Sequence, residues 1–191
     1  MKNIDSALDL ARLFGQFREL IFQNKERITI IAANAVLASL LERIFEKGKA
    51  TDGSKIGKYD TKEIWISIPV DGVSNSGLKR IGKPKGKPKK AKETKSTMYF
   101  PKGYKEFKDK TGRQSNKVNL YLTGDLFLSI KVGKNGDANV IGIVGEEEKR
   151  KAEGNEKRFG KDIFSLSNKE KQLYFRTINK EVQKLFKQIF Q

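Results

Sequence analysis

The residues of this chain best suited to a chemical role are cations, and nine of them lie in one segment. The chain has 40 basic and 23 acidic residues, a formal net charge of +17. Between Lys79 and Lys95 the only acidic residue is Glu93. Such a segment favours contact with nucleic acid or an acidic protein surface, because neutralised phosphates release condensed counterions. A solvated loop is the alternative interpretation. The nine cations are Lys79, Arg80, Lys83, Lys85, Lys87, Lys89, Lys90, Lys92 and Lys95.

Catalytic and metal chemistry is disfavoured by composition. The sequence has no histidine, which is the commonest general base near neutral pH and the commonest zinc ligand. It also has no cysteine, so disulfides and thiolate chemistry are absent, as suits a reducing cytoplasm. Only sites made of carboxylates and lysine are left. We therefore predict no catalytic residue, no metal, no cofactor and no enzymatic activity.

Two motifs resemble binding sites but fail on spacing. Gly82–Lys87 is similar to a phosphate-binding P-loop, yet it has one residue too few between its glycines. It also lacks the Ser or Thr after the lysine, and Pro88 stands where a helix should begin. Three adjacent carboxylates, Glu146 to Glu148, would point in three directions on a helix. They complement the positive end of a helix dipole better than they would hold a metal.

The N-terminal third predicts helix. Asp5 or Ser6 can cap a first helix, whose apolar residues recur every three or four positions from Leu8 to Ile21. A second apolar stripe follows from Ile28 to Phe45, and Gly48 is in the usual stop position. Asn24 could start a new helix or continue the first. The alanines of the second stripe pack either in the core or against a neighbouring subunit.

The middle of the chain predicts one strand and a long excursion. Residues 64–70 alternate as a strand, with Pro69 placing it at an edge or ending it early. Residues 71–117 predict an extended basic arm within a single domain that spans residues 1–191. Aromatic residues at 98–104 either stack on nucleic-acid bases or tether the arm to the domain. No stretch approaches the ~20 apolar residues of a membrane span.

The second half begins with the most informative stretch. Apolar alternation over 118–122 reaches a Thr-Gly-Asp turn and resumes over 126–132, which predicts a strand. A second apolar run, Val140–Val144, predicts a hairpin with it. A charged helix follows. Ser167 and Glu170 have the spacing of a capping box, which starts an amphipathic helix that runs almost to the end.

This order of elements resembles the tail-completion, or head–tail connector, family of tailed bacteriophages, often labelled phage virion morphogenesis proteins. Segments comparable to Gly53–Tyr59, Val140–Gly145 and Gly154–Glu170 occur in that family in the same order. The family motif L-T-G-x-L-x-x-S-I is matched by Leu122, Thr123, Gly124, Leu126, Ser129 and Ile130.

The resemblance implies an α+β fold, in which a curved antiparallel sheet is flanked by N-terminal and C-terminal helices and a long basic excursion joins two strands. It implies a virion protein, assembled in the host cytoplasm, that forms a hexameric or dodecameric ring at the phage neck. Expected partners are the portal or adaptor, tail proteins and genomic DNA in the lumen, bound without sequence specificity; no membrane is expected. The alternative is a free nucleic-acid-binding protein that uses Lys79–Lys95.

Overall fold

A computed structural model describes residues 6–67, 97–136 and 138–190. Helices and antiparallel strands both occur, which confirms the α+β class. The helices are α1 (Ala7–Leu41), α2 (Gly103–Lys110), α3 (Asp125–Ser129), α4 (Glu146–Phe159) and α5 (Asn168–Phe190), with a π-helix at Glu42–Glu46. The strands are β1 (Ile64–Ser67), β2 (Thr97–Phe100), β3 (Ile130–Asn135) and β4 (Ala138–Ile143).

The chain divides into two compact units, and the single domain over residues 1–191 stays a prediction. The long-helix unit contains α1, β3, β4 and α5, and the pocket unit contains the remaining elements. The two units interleave along the chain, because the long-helix unit draws on both ends of the sequence and on the β3–β4 hairpin.

Helix α1 is one continuous helix rather than two. Its start is capped by Ser6, whose Oγ accepts the Asp9 N–H at 3.1 Å, as predicted. Asn24 continues the helix, since its side-chain amide donates to the Leu20 carbonyl at 2.9 Å. The second apolar stripe provides the core of α1, with Ile28, Ala32, Ala33, Val36 and Leu40 buried.

The apolar second half of α1 also bears on the membrane prediction. By length and composition alone, Ala7–Glu46 contains a window apolar enough to cross a membrane, and 44% of that window is buried in the protein. The core helix of a globular protein passes the same test. The sequence-based expectation missed this window because it counted unbroken apolar residues, and polar residues such as Asn34 and Ser39 interrupt the run.

Helix α5 packs antiparallel to α1. The predicted capping box is confirmed: Ser167 N–H donates to Glu170 Oε2 at 2.7 Å, and Glu170 N–H donates to Ser167 Oγ at 3.3 Å. Four phenylalanines join the far ends of the helices. Their ring centroids lie 5.5 Å apart in the pairs Phe14–Phe190 and Phe17–Phe186.

The β3–β4 hairpin completes the long-helix unit. Its register pairs Ile130 with Ile143 and Asn135 with Ala138, which confirms the predicted hairpin. The predicted strand over 126–132 is wrong at its start, because Asp125–Ser129 is the short helix α3. Apolar residues at 126, 127, 128 and 130 satisfy a helical period as well as a strand period. The Leu128 N–H bond to the Gly124 carbonyl, at 2.9 Å, closes the first helical turn.

The pocket unit contains the second sheet, in which β1 pairs with β2. Phe100 of β2 and Phe107 of α2 are buried against each other, with ring centroids 5.4 Å apart. The aromatic segment at 98–104 therefore tethers the chain to the unit. The extended arm predicted over 71–117 is also wrong from residue 97 onwards, because burial of these rings orders β2 and α2. Residues 71–96 lie outside the described part of the chain.

A buried arginine connects the loops of the pocket unit. The guanidinium of Arg43 donates to the carbonyls of Lys49, Ile163 and Ser165 at 2.9–3.1 Å. Gly48 ends the helical run with φ +63°, and a Cβ there would lie 2.4 Å from the Val118 carbonyl oxygen. Only glycine fits that position.

Candidate functional site at the Thr123-Gly124-Asp125 segment

The structure bears on the two predicted sets of site residues differently. The basic set, Lys79–Lys95, lies outside the described residues, so its proposed contact with nucleic acid or an acidic partner stays a prediction. The motif set is described in full. Leu122, Thr123, Gly124 and Leu126 line a pocket of the pocket unit, and Leu126, Ser129 and Ile130 are buried.

The Thr-Gly-Asp segment starts α3. Thr123 Oγ1 donates to the Asp125 carboxylate, and the Asp125 N–H lies 3.5 Å from Thr123 Oγ1. Gly124 has φ +102°, and a Cβ there would lie 3.0 Å from the Tyr121 hydroxyl. The positive φ therefore favours glycine, and a Cβ would require the Tyr121 hydroxyl to move by a few tenths of an ångström. The segment caps a helix, where the sequence predicted a turn between strands.

The residues before this segment are held in an unusual conformation. Leu120 has φ +52°, which a residue with a side chain adopts only when its surroundings hold it there. The holding groups come from elsewhere in the pocket unit. Lys108 Nζ donates to the Tyr121 carbonyl, Arg113 Nε donates to the Leu122 carbonyl at 2.9 Å, and the Tyr59 hydroxyl donates to Asn119 Oδ1 at 3.0 Å.

The pocket itself has a volume of about 500 Å³. That volume is within the range of pockets for small molecules or inserted side chains. The segment from Leu120 to Leu126 lines the pocket, and so do Tyr59, Tyr104 and Lys108. Helix α4 contributes Glu147, Glu148, Lys151, Asn155, Arg158 and Phe159.

Lys108 is the most unusual group of the pocket. Only 1% of the residue is exposed, and its amine lies 5.5 Å from the centre of the Tyr59 ring. Burial, with a smaller contribution from the nearby Arg113 charge, lowers the pKa of Lys108 to about 8. The amine is therefore mostly protonated at neutral pH and loses its proton in mild alkali. Nothing in the sequence distinguished Lys108 from the other lysines.

Two tyrosines beside Lys108 share its burial. Desolvation raises the pKa of Tyr59 and of Tyr104, so both phenols stay neutral donors over the physiological range. Their ring centroids lie 5.5 Å apart. Tyr59 ends the Gly53–Tyr59 segment that carried part of the family resemblance. Its hydroxyl both donates to the Asn119 side chain and accepts the Asn119 N–H at 3.2 Å.

The rim on α4 carries charges of both signs. Lys151 Nζ lies 2.7 Å from Glu147 Oε1 and 3.5 Å from Glu148 Oε1. The hydrogen bond to Glu147 raises the pKa of Lys151. The three glutamates occupy the first turn of α4, as predicted. In the described part of the chain, no group of three His, Cys, Asp or Glu side chains could hold a metal.

Taken together, the pocket has aromatic rings, buried polar groups such as Tyr59 and Lys108 that already hydrogen-bond within the chain, and a rim of opposed charges. These features can bind a polar group by hydrogen bonds and an apolar group against the rings. Comparison of the chain with protein-family models, with curated proteins and with solved structures finds no match.

Proposed function

We propose that this protein is a structural component of a tailed-bacteriophage virion that forms a ring in the neck and joins the portal or adaptor to the tail. The observation that carries the proposal is the motif Leu122–Ile130 in its setting. It is preceded by Gly53–Tyr59 and followed by the β3–β4 hairpin, α4 and the capped helix α5. The order of the motif, the strand at Val140–Gly145, the segment Gly154–Glu170 and the terminal helix supports the resemblance to the connector family.

The β3–β4 hairpin supports assembly by strand addition. Among the described residues, β3 pairs only with β4, so each strand has one open edge. Open edges can pair with a strand of another chain. In our proposal, head-to-tail addition around the ring builds the curved antiparallel sheet that the resemblance implies. A closed ring leaves no unpaired edge, which limits further aggregation.

The excess of positive charge supports a position beside DNA. Cations close to a duplex contact its phosphates without reading the sequence. We propose that the cations of Lys79–Lys95 face the DNA path in the lumen, or an acidic surface of the adjoining ring. Neither role requires the protein to make or break bonds.

Mass measurement tests the ring. The purified chain, alone or mixed with its portal or adaptor, should form a species of six or twelve copies of the 21.7 kDa chain. Electron microscopy of that species should show a closed ring. A protein that stays monomeric under both conditions would contradict the proposal.

A charge-neutralised variant tests the lumen contact separately. Virions carrying Lys83, Lys85, Lys87, Lys89 and Lys90 changed to Gln should assemble necks but lose packaged DNA or fail to join tails. Normal packaging, retention and joining would count against the contact, while the ring could still stand.

The second candidate, a free nucleic-acid-binding protein, is favoured by the local charge of nine cations against one anion in Lys79–Lys95. It predicts that a monomer or dimer binds DNA with affinity that falls steeply as salt rises. A ring protein should instead bind DNA fragments weakly. A salt titration of binding to a random duplex separates the two.

A further inference from the structure

We propose that a second copy of this chain docks on the outer face of α1, so that two α1 helices pack antiparallel about a two-fold axis at Gly15. The outer face consists of Leu8, Ala11, Gly15, Glu19 and Phe22. This inference does not rest on the neck function. A ring closes through head-to-tail contacts, whereas a two-fold contact pairs two rings or pairs subunits before they assemble.

The outer face is apolar and exposed. Leu8 is 80% exposed and Phe22 is 64% exposed. They lie seven residues before and seven residues after Gly15, and residues seven apart in a helix lie within about 20° of each other. The three positions thus form one line along α1. Scattered exposed apolar residues are normal, but two large ones aligned on one helical face with a glycine between them are suited to a helix–helix contact.

The opposite side of α1 and its later turns are already covered. Phe17 packs edge-on against Phe186 of α5, and it lies about 160° around the helix from Gly15. Further along, the outer face itself meets the hairpin of the same unit. Lys134 pairs with Glu26, and the Asn139 side chain donates to Thr29 Oγ1 at 2.8 Å. From Leu8 to Phe22 no contact with another element is seen on this face among the described residues, although the Lys25 amine lies 5.1 Å from the centre of the Phe22 ring.

Gly15 has no role inside the described part of the chain. No heavy atom lies within 4 Å of the place where its Cβ would be, and glycine weakens a helix. Beside it is an open hollow lined by residues of α1 only, two of them cations: Gly15, Arg18, Glu19, Ile21, Phe22 and Lys25. A glycine on an open helical face allows a second backbone to approach closely.

The outer face is self-complementary in the antiparallel direction. A two-fold axis at Gly15 places Leu8 of each chain opposite Phe22 of the other, and the small Gly15 residues meet at the centre. On one flank, the same axis places Arg12 of each chain beside Glu19 of the other. Two ion pairs therefore form, one on each side of the centre. On the other flank the small side chain of Ala11 allows the two helices to approach closely.

The contact is of modest size. It spans four helical turns, about 21 Å, which is at the low end of specific interfaces. We therefore expect a dissociation constant on the order of micromolar. The charge of +17 on each chain opposes pairing, so it should be measured at physiological or higher salt, where distant charges are screened.

Cysteine cross-linking tests the register directly, because the chain has no cysteine of its own. Helices packed 8–10 Å apart bring two facing Cα atoms to about 5 Å, which a disulfide spans. Gly15→Cys should therefore form a disulfide-linked dimer under mild oxidation. A mixture of Leu8→Cys and Phe22→Cys chains should form a heterodimer. Gln16→Cys, one residue off the face, is the matched control and should not cross-link efficiently. Cross-linking of the control as fast as Gly15→Cys would overturn the register.

A charge exchange tests the antiparallel direction. Arg12→Glu and Glu19→Arg should each weaken pairing at least tenfold in sedimentation equilibrium, because each places like charges opposite one another. The double variant should restore the wild-type constant. If the double variant pairs no better than the single ones, the antiparallel arrangement is wrong.

Apolar-to-charged variants test the surface as a whole. Leu8→Asp with Phe22→Asp should give a monomer at concentrations where the wild type pairs. The control, Phe175→Asp, changes an equally exposed phenylalanine of α5 and should leave pairing intact.

A wild type that is monomeric at every concentration overturns the proposal. If a ring forms but Gly15→Cys does not cross-link within it, the α1 pair is wrong and the neck ring stands.

Discussion

The two halves of α1 have similar apolar spacing and opposite surroundings. In the second half, Ile28, Val36 and Leu40 are each at most 3% exposed. In the first half, Leu8, Phe14 and Phe22 are each more than half exposed. The spacing makes both halves helical, but burial depends on which other elements reach each half. The comparison shows that the spacing of apolar residues predicts a helix but does not predict which of its faces another element will bury.

The largest expected effect comes from the same truncation made in both halves. Leu40→Ala should lower the free energy of unfolding by about 3 kcal/mol, because it leaves a cavity in a packed core. Leu8→Ala should change it by less than about 0.5 kcal/mol, because the side chain is exposed. Urea denaturation of the two variants, at concentrations low enough for a monomer, measures the difference. Equal costs would show that the first half is buried.

Two glycines near the ends of the helical run sharpen the comparison. Gly48→Ala should destabilise the protein by roughly 2 kcal/mol, because its φ is +63° and the new methyl group would clash with the Val118 carbonyl. Gly15→Ala should stabilise the monomer by about 0.5–1 kcal/mol, since its position is helical and open. In thermal unfolding, the Tm should fall for Gly48→Ala and rise for Gly15→Ala.

The buried amine of Lys108 allows the same comparison between a buried and an exposed side chain in the pocket unit. Lys108→Met should cost about 1–3 kcal/mol at high pH, because the Tyr121 carbonyl loses its donor. Burial lowers the pKa of Lys108 to about 8 in the folded protein, against 10.5 when unfolded. Between these values the unfolded chain holds a proton that the folded chain has released, so the contribution of Lys108 to stability rises with pH.

The measurement for Lys108 is the stability of the wild type minus that of Lys108→Met, followed from pH 7 to pH 11. The difference should grow in favour of the wild type between about pH 8 and 10.5 and level off beyond. Lys134→Met, which removes an exposed lysine that pairs with Glu26, is the control and should give a small difference with little slope over this range. A flat curve for Lys108 would mean that its amine is solvated.

The smallest expected effect compares two helix caps. Ser167→Ala should cost about 1 kcal/mol, because the capping box with Glu170 is buried. Ser6→Ala should cost less than half of that, because the start of α1 is exposed and its first turn can fray without disturbing the core. Hydrogen exchange should show faster exchange in the first turn of α5 only for Ser167→Ala. Equal losses would indicate that the start of α1 is held as firmly as that of α5.

Local chemistry was predictable from local residues. The capping box at Ser167, the cap at Ser6, the hairpin over 130–143 and the glutamates that start α4 all follow from neighbours within a few positions. The predictions failed where the apolar spacing fitted both a helix and a strand, or where contacts between residues far apart in the chain set the local structure. Asp125–Ser129 is a helix although its apolar residues fit a strand as well, and β2 with α2 formed because Phe100 and Phe107 bury each other.

The sequence by itself determined the long helices α1, α4 and α5, the hairpin, the caps at Ser6 and Ser167, and the excess of positive charge, because each depends on contacts a few residues apart or on composition alone. Only the tertiary structure decided that Lys108 is buried, that Leu120 is held at positive φ and that the outer face of α1 is bare from Leu8 to Phe22. Burial and backbone strain depend on contacts between groups that are far apart in the chain. The spacing of neighbouring residues does not specify which distant groups come into contact.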